Sequence, residues 1–182
     1  MRLPFNEAKA TQAAARLLKL AGGKLKYFRL VKLLYLLDRD SLLEYARPVT
    51  TDRYQNLSHG PIVTHIYDDL IMAAEDGIWN DHISRVGPYA VRLVKEPGNS
   101  ELSLSQERLI NKIFKKFGNK DREWLERYCH SLPEWKNPGK RRRLELPIRD
   151  ILKAGGKTDE ETEEILSEIE GLAVVQSMRS PE

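Results

Sequence analysis

Residues 27–45 read YFRLVKLLYLLDRDSLLEY, and this stretch predicts an α-helix that is apolar around most of its circumference. At about 100° per residue, the polar positions form only a narrow stripe, which consists of Arg29, Lys32, Arg39 and Asp40. A helix of this kind normally lies at the centre of its domain, because other elements must cover it on several sides. Helical spacing brings the remaining positions onto one broad face: Leu30, Val31, Leu34, Tyr35, Leu37, Ser41, Leu42 and Tyr45.

Other helical patterns lie on both sides of this central helix. Asn6 can cap a first helix that ends at about Ala21, since a side-chain amide oxygen can accept a hydrogen bond from the first turn. The Gly60-Pro61 pair predicts the start of a third helix, because proline suits the first helical position. Helical spacing returns in four later segments, at about residues 105–117, 121–132, 148–154 and 158–170.

Between the third helix and the later ones, the apolar period changes to that of a β-hairpin. Residues 82–86 and 89–94 are the two strand-like segments, and the Gly-Pro pair between them is typical of a turn. The sequence therefore predicts a mainly α fold, a compact helical domain with a small β-hairpin inserted after the third helix. We assign residues 1–156 to this domain and residues 157–182 to an acidic C-terminal helix with a frayed tail.

The composition of the 182 residues indicates a protein of the cytoplasm. The single cysteine, Cys129, fits a reducing compartment and is expected to be a small core residue. The N-terminus lacks the apolar segment of a signal peptide, so we do not expect secretion. No stretch approaches the ~18 uncharged apolar residues that a membrane span requires, so a membrane partner is not expected either.

The net charge of +3 hides an asymmetry between the body and the tail. Residues 158–182 carry eight acids and one base, which leaves 29 bases and 19 acids in the remainder, a balance of +10. A basic body favours an anionic partner or the acidic tail itself, and the alternative that both ends only solvate the chain stays open. The basic run from Lys140 to Arg143 lacks aromatic neighbours, so nucleic-acid binding is possible but not favoured.

Asp38 is the sharpest anomaly, because it lies in the middle of the apolar face of the central helix. A buried carboxylate without partners is destabilising by several kcal/mol, so we expect it to be paired or hydrogen-bonded. Arg53 and His59 in the following segment are the candidate partners, and Asp38 would then anchor that segment onto the helix. The alternative is that the helix bends near Leu37 and exposes Asp38.

His59 admits three interpretations: a residue that fixes its loop, a contact to a partner, and a metal or catalytic group. The four histidines show neither His-Glu-x-x-His nor Cys-x-x-Cys spacing, so we expect no metal and no cofactor. A hydrolase that used His59 with Asp38 would also need a nucleophile or a metal in reach, and the sequence designates neither. An enzyme is therefore not expected.

Several short motifs, taken in their order along the chain, resemble one known family, the Panacea domain of SocA-like antitoxins. The resemblance covers about residues 22–156. The motifs that carry it are Lys32-Leu33-Leu34-Tyr35, Tyr54, His59-Gly60-Pro61-Ile62-Val63, Leu104-Ser105, Lys116-Phe117-Gly118 and Leu132-Pro133-Glu134-Trp135-Lys136.

This resemblance implies the antitoxin of a toxin–antitoxin pair, which neutralises a co-encoded protein toxin by direct stoichiometric binding. It also implies one alternative, an adaptor that delivers the toxin to a protease, and the basic body adds a second, a DNA-binding autoregulator of its operon. The sequence leaves the oligomeric state open. The expected partner-binding residues are Arg29, Lys32, Tyr35, Arg53, Tyr54, His59, Gly60 and Pro61, and the expected polar anchors are Asp38 and His59.

Overall fold

A computed structural model describes residues 3–74 and 76–179, and more than half of these residues are helical, which confirms the mainly α prediction. A short π-helix, Ile66–Met72, and a 3-10 turn, Gly139–Arg141, stand beside seven α-helices in the described ranges. The α-helices are α1 (Glu7–Leu20), α2 (Tyr27–Tyr45), α3 (Ile78–His82), α4 (Leu104–Phe117), α5 (Arg122–Ser131), α6 (Ile148–Ala154) and α7 (Asp159–Arg179).

Within the described residues, six short strands form two antiparallel sheets of three strands each. The strand order is β1-β5-β4 in the first sheet and β3-β2-β6 in the second. The strands are β1 (Lys24–Lys26), β2 (Tyr54–Leu57), β3 (Gly60–Val63), β4 (Ile83–Val86), β5 (Ala90–Leu93) and β6 (Arg143–Glu145).

Helix α2 is the centre of the core, as its apolar circumference predicts. It contacts α1, α4, α5, α6 and strand β3, and eleven of its residues, from Leu30 to Leu42, are buried. On the neighbouring α1, the small side chains of Ala10, Ala13 and Ala14 are fully buried, which is typical of a helix that packs closely against its neighbours. Asn6 caps α1 as predicted, because its side-chain oxygen accepts the Lys9 N–H at 2.9 Å.

The prediction of a third helix that starts at Gly60-Pro61 is wrong, because these residues begin strand β3. Gly60 has φ of +103°, a backbone conformation that glycine alone adopts readily and that no α-helix contains. Strands β2 and β3 form a hairpin whose two-residue turn is Ser58-His59. Helical backbone starts only at Thr64 and continues as the π-helix.

Strands β4 and β5 pair with each other, but the predicted position of a hairpin inserted after the third helix is not confirmed. The short α3 directly precedes β4, and β1, which precedes α2 in the chain, adds a third strand to the pair. Lys24 lies opposite Arg92 in this register, so the residues before the central helix fix the position of β5.

Helix α7 packs on α6 through Ile165 and Ile169, which are both buried. Thr158 and Glu161 form the predicted capping box, since each side chain accepts the other residue's backbone N–H. The helix continues to Arg179, past its predicted end at about residue 170, so the prediction of a frayed tail over the last ten residues is wrong for 173–179, and residues 180–182 lie outside the described residues. Among the helices that the structure describes, none has the length and apolar character to cross a membrane.

Candidate functional site

Asp38 is fully buried and holds the segment between α2 and β2, but not through the predicted partners. Its Oδ1 accepts the backbone N–H groups of Val49 and Thr50, both at 2.8 Å. Its Oδ2 accepts the hydroxyls of Thr50 at 2.5 Å and Tyr54 at 2.8 Å. Burial raises the pKa of Asp38, and these hydrogen bonds act in the opposite direction. The anchor role is thus fulfilled by backbone amides and hydroxyls, and the prediction of Arg53 and His59 as its partners is wrong.

A second buried carboxylate, Asp52, caps the helical segment that follows β3. Its Oδ1 accepts the His65 N–H at 2.8 Å and its Oδ2 accepts the Ile66 N–H at 2.9 Å. The Arg53 N–H also donates to Asp52 at 2.6 Å. Burial raises the pKa of Asp52 to about 6, against the opposing effect of the three backbone N–H donors.

The raised pKa of Asp52 predicts that the free energy of unfolding falls as the pH rises from about 4 to about 6. The folded chain keeps the Asp52 proton in this range, whereas the unfolded chain, with a pKa of about 3.9, releases it. The full difference between the folded and unfolded pKa values of Asp52 corresponds to roughly 3 kcal/mol of unfolding free energy.

Urea unfolding at about pH 4 and about pH 6.5 measures this change. The Asp52→Asn variant should lose the part of the pH dependence that Asp52 contributes. The raised pKa of Asp38 acts in the same direction and is present in both proteins, so the difference between their pH dependences reports Asp52 together with its electrostatic coupling to Asp38. Equal pH dependence in the two proteins would contradict the assignment.

Tyr35 and Glu134 form a buried polar pair between α2 and the segment after α5. The Tyr35 hydroxyl donates to Glu134 Oε1 at 2.8 Å, and Arg39 Nε donates to the same oxygen at 2.5 Å. Burial raises the pKa of Tyr35, and the Glu134 charge adds to this effect. Sequence reasoning included Glu134 in the Leu132-Pro133-Glu134-Trp135-Lys136 motif but gave it no role, because a pair between residues 99 positions apart leaves no local signal.

Lys32 is fully buried between α2, strand β3 and α5. Its ammonium group donates to the Pro61 carbonyl at 2.8 Å and lies 5.4 Å from the centre of the Phe28 ring. Burial lowers the pKa of Lys32 to about 8, and the Cys129 and Glu126 charges oppose the shift. Cys129 is itself buried, and burial raises its thiol pKa to about 11.

The turn between β2 and β3 is exposed at Ser58 and His59, yet several side chains fix its backbone. His130 Nε2 lies 2.8 Å from the Ser58 carbonyl oxygen, and Trp135 Nε1 donates to the Leu57 carbonyl at 3.1 Å. His59 Nδ1 lies 2.9 Å from a Glu126 carboxylate oxygen. The surface formed by Ser58, His59, Glu126, His130 and Trp135 is called the turn face below.

The predicted partner-binding residues therefore divide into buried and exposed groups, and Arg29 is intermediate because it is partly buried. Lys32, Tyr35 and Tyr54 are buried, so their side chains are not part of the exposed turn face. Gly60 and Pro61 are also buried. Only His59 and Arg53 are exposed, and Arg53 lines a different cleft, of about 590 Å³, together with residues of β6, α6 and α7.

A smaller cleft of about 350 Å³, called the basic cleft below, lies at the start of α2 next to the His59 turn. Among the described residues, no acid lines it. Aliphatic side chains contribute to its walls together with cationic and aromatic ones, which include Lys26, Arg29, Lys32, Arg122, Tyr67 and Tyr89. Within the described ranges, no group of three or more potential ligand side chains could hold a metal ion.

Comparison with known families gives one match. Residues 30–136, more than half of the chain, match the family described as antitoxin SocA-like, Panacea domain. No curated protein and no solved structure matches the chain. The family match confirms the resemblance carried by the sequence motifs and includes α2 from Leu30 onward, the His59 turn and Glu134.

Proposed function

Because the chain belongs to the family of SocA-like antitoxins with a Panacea domain, we propose that it neutralises a co-encoded protein toxin by direct stoichiometric binding. In this mechanism the chain supplies a surface and no chemistry. The groups that a hydrolase would use are already committed: Asp38 is buried and accepts four hydrogen bonds, and His59 pairs with Glu126. The single cysteine, Cys129, is buried, and burial raises the pKa of its thiol.

The turn face is the surface that we propose for the toxin, and the observation that supports it is its fixed backbone. The carbonyls of Leu57, Ser58 and Pro61 each accept a hydrogen bond from a distant side chain, so little conformational freedom is left to lose on binding. Trp135 stacks on His130 with ring centres 4.1 Å apart. A rigid exposed turn beside a tryptophan is typical of an interface centre, since tryptophan is enriched among residues that dominate binding energy.

The test uses the protein encoded next to this chain. Co-expression should restore growth in cells that the neighbouring protein alone arrests, and the purified pair should form an equimolar complex. The Ser58→Arg variant places a bulky side chain on the turn face and should weaken the complex by about 100-fold or more. The matched control is Ser105→Arg, which adds the same side chain at an exposed serine of α4 and should bind like the wild type.

Two negative results have different meanings. A wild-type chain that neither binds nor neutralises the neighbouring protein would contradict the antitoxin function itself. Full neutralisation by the Ser58→Arg variant would contradict only the turn face as the contact surface. The two alternatives drawn from the sequence, delivery to a protease and operator binding, stay predictions.

A further inference from the structure

The basic cleft contains two buried cationic donors whose hydrogen-bonding capacity the protein does not use. The Lys32 ammonium group has three N–H donors, and among the described residues one acceptor, the Pro61 carbonyl, takes a hydrogen bond from it. Arg29 Nε is buried and has no acceptor in the described part of the chain, while Arg29 Nη2 donates to the Gly118 carbonyl. Buried charged donors are destabilising unless they are paired, so an anion in the cleft would relieve both groups.

Within the described part of the chain, no carboxylate pairs with Lys32 or Arg29 in place of such an anion. Glu126 is the acid whose charge acts on Lys32, but its carboxylate pairs with His59 at 2.9 Å. Among the described residues, no acid lies within salt-bridge distance of Lys26, Arg29 or Arg122. The cleft therefore carries a net positive charge, which Glu126 offsets only in part and which attracts an anion from solution.

The start of α2 adds to this attraction. Lys26 occupies the N-cap position without a capping side-chain hydrogen bond, and the first turn contains no acidic residue. Helix N-termini normally have a capping oxygen or an acid, because their free N–H groups and partial positive charge favour negative charge. A basic first turn on a helix of 19 residues thus concentrates positive charge where an anionic ligand is stabilised best.

The aromatic side chains of the cleft indicate what the anion is attached to. Arg122 lies over the Phe28 ring at 4.7 Å and Lys32 lies 5.4 Å from the same ring, so Phe28 positions two of the cations. Tyr89, on the β4–β5 turn, is 66% exposed and offers a ring for stacking. A volume of about 350 Å³ lies in the usual range of small-molecule sites.

We propose that the basic cleft is a binding site for a nucleoside phosphate. The phosphate oxygens lie against Arg29, Lys32 and Arg122, and the base stacks on Tyr89. A phosphate carries up to two negative charges and three acceptor oxygens, which match several converging cations better than the single charge of a carboxylate. The same chemistry occurs in a free nucleotide and at the 5′-phosphate end of a nucleic-acid strand. The site adjoins the turn face and shares His59 with it, but it is tested independently of toxin binding.

Isothermal titration calorimetry on the full chain at low salt tests the proposal with ADP as the first probe. We expect saturable binding, and we expect the Lys26→Glu/Arg122→Glu variant to bind ADP about 100-fold more weakly or not measurably. Both residues are exposed, so the fold should tolerate the changes. The matched control, Lys24→Glu/Arg127→Glu, reverses the same number of charges on the same two elements outside the cleft and should bind within about 3-fold of the wild type.

Further probes test the base and the phosphate of the ligand separately, and they distinguish a free nucleotide from the end of a nucleic-acid strand. Adenosine and inorganic pyrophosphate should each bind more weakly than ADP, and Tyr89→Ala should weaken ADP but leave pyrophosphate unchanged. A 5′-phosphorylated oligonucleotide that binds more tightly than ADP assigns the ligand to a strand end, and the reverse order assigns it to a free nucleotide. Both orders support the site, provided that a 5′-hydroxyl oligonucleotide binds less well.

Three results would overturn the proposal. The first is the absence of binding by ADP and by the phosphorylated oligonucleotide at about 1 mM. The second is an equal loss of binding in the cleft variant and in its matched control, which would indicate a general charge effect. The third is tighter binding of an oligoglutamate peptide than of ADP, which would assign the cleft to an acidic protein segment. None of these results bears on the antitoxin assay, which is measured separately.

Discussion

Replacing Asp38 by alanine is expected to lower the free energy of unfolding by about 3–5 kcal/mol. The substitution removes the acceptor of two backbone N–H groups, those of Val49 and Thr50, and of the Tyr54 hydroxyl. All of these donors are buried, so water cannot replace the carboxylate without opening the segment between α2 and β2. Urea unfolding followed by circular dichroism measures the loss.

Two comparison variants separate the hydrogen bonds from the charge. Asp38→Asn keeps an oxygen for the backbone N–H groups, and the Thr50 and Tyr54 hydroxyls can rotate to accept from the amide, so its loss should be smaller. Asp40→Ala removes a carboxylate from the less buried polar stripe of the same helix and should change stability by about 0.5 kcal/mol or less. An Asp38→Ala chain that unfolds at the wild-type urea concentration would refute the anchor.

The second large effect is expected for Gly60→Ala, which should lower the free energy of unfolding by about 2–4 kcal/mol. A Cβ atom on Gly60 would lie 2.8 Å from Cys129 Cβ and 3.0 Å from Lys32 Nζ, and φ at this position is +103°. The methyl group would therefore displace α5 or force the Lys32 ammonium away from the Pro61 carbonyl, in addition to the backbone strain. Thermal unfolding of the purified variant measures the loss.

Gly87→Ala is the matched control for this substitution. Gly87 also has positive φ, at +62°, but a Cβ atom there would have no neighbour within 4 Å. Its substitution measures the destabilisation that comes from the backbone conformation alone, which should be about 1 kcal/mol. Equal losses at the two glycines would show that the close approach to Cys129 and Lys32 has no energetic consequence.

Local periodicity was sufficient to predict α2, and long-range pairing explains most of what the sequence could not reveal. The apolar circumference of residues 27–45 has one structural solution, a central helix, and its observed bounds agree. The Gly60-Pro61 pair is compatible with two structures, the start of a helix and the start of a strand. Strand β2 decides between them by pairing with Gly60–Val63, and β6 joins the other edge of β2 from residues 143–145.

The same distinction holds for the polar side chains. The sequence shows that Asp38 needs partners, because the helical face around it is apolar, but backbone amides leave no signature in the identity of Val49 or Thr50. The Tyr35–Glu134 pair joins residues 99 positions apart. The basic cleft draws its cations from the start of α2 and from α5, so no local segment of sequence reveals it.

The strand pairing also has a consequence for where the chain can be cut. Residues 30–136, the matched segment, contain β2, β3, β4 and β5, but β1 and β6, which complete the two sheets, lie outside it. The alanine surface of α1 that helps to cover the core also precedes it. A fragment trimmed to the matched segment would expose two sheet edges and invite aggregation, so the unit that can be transplanted between proteins must retain both flanks.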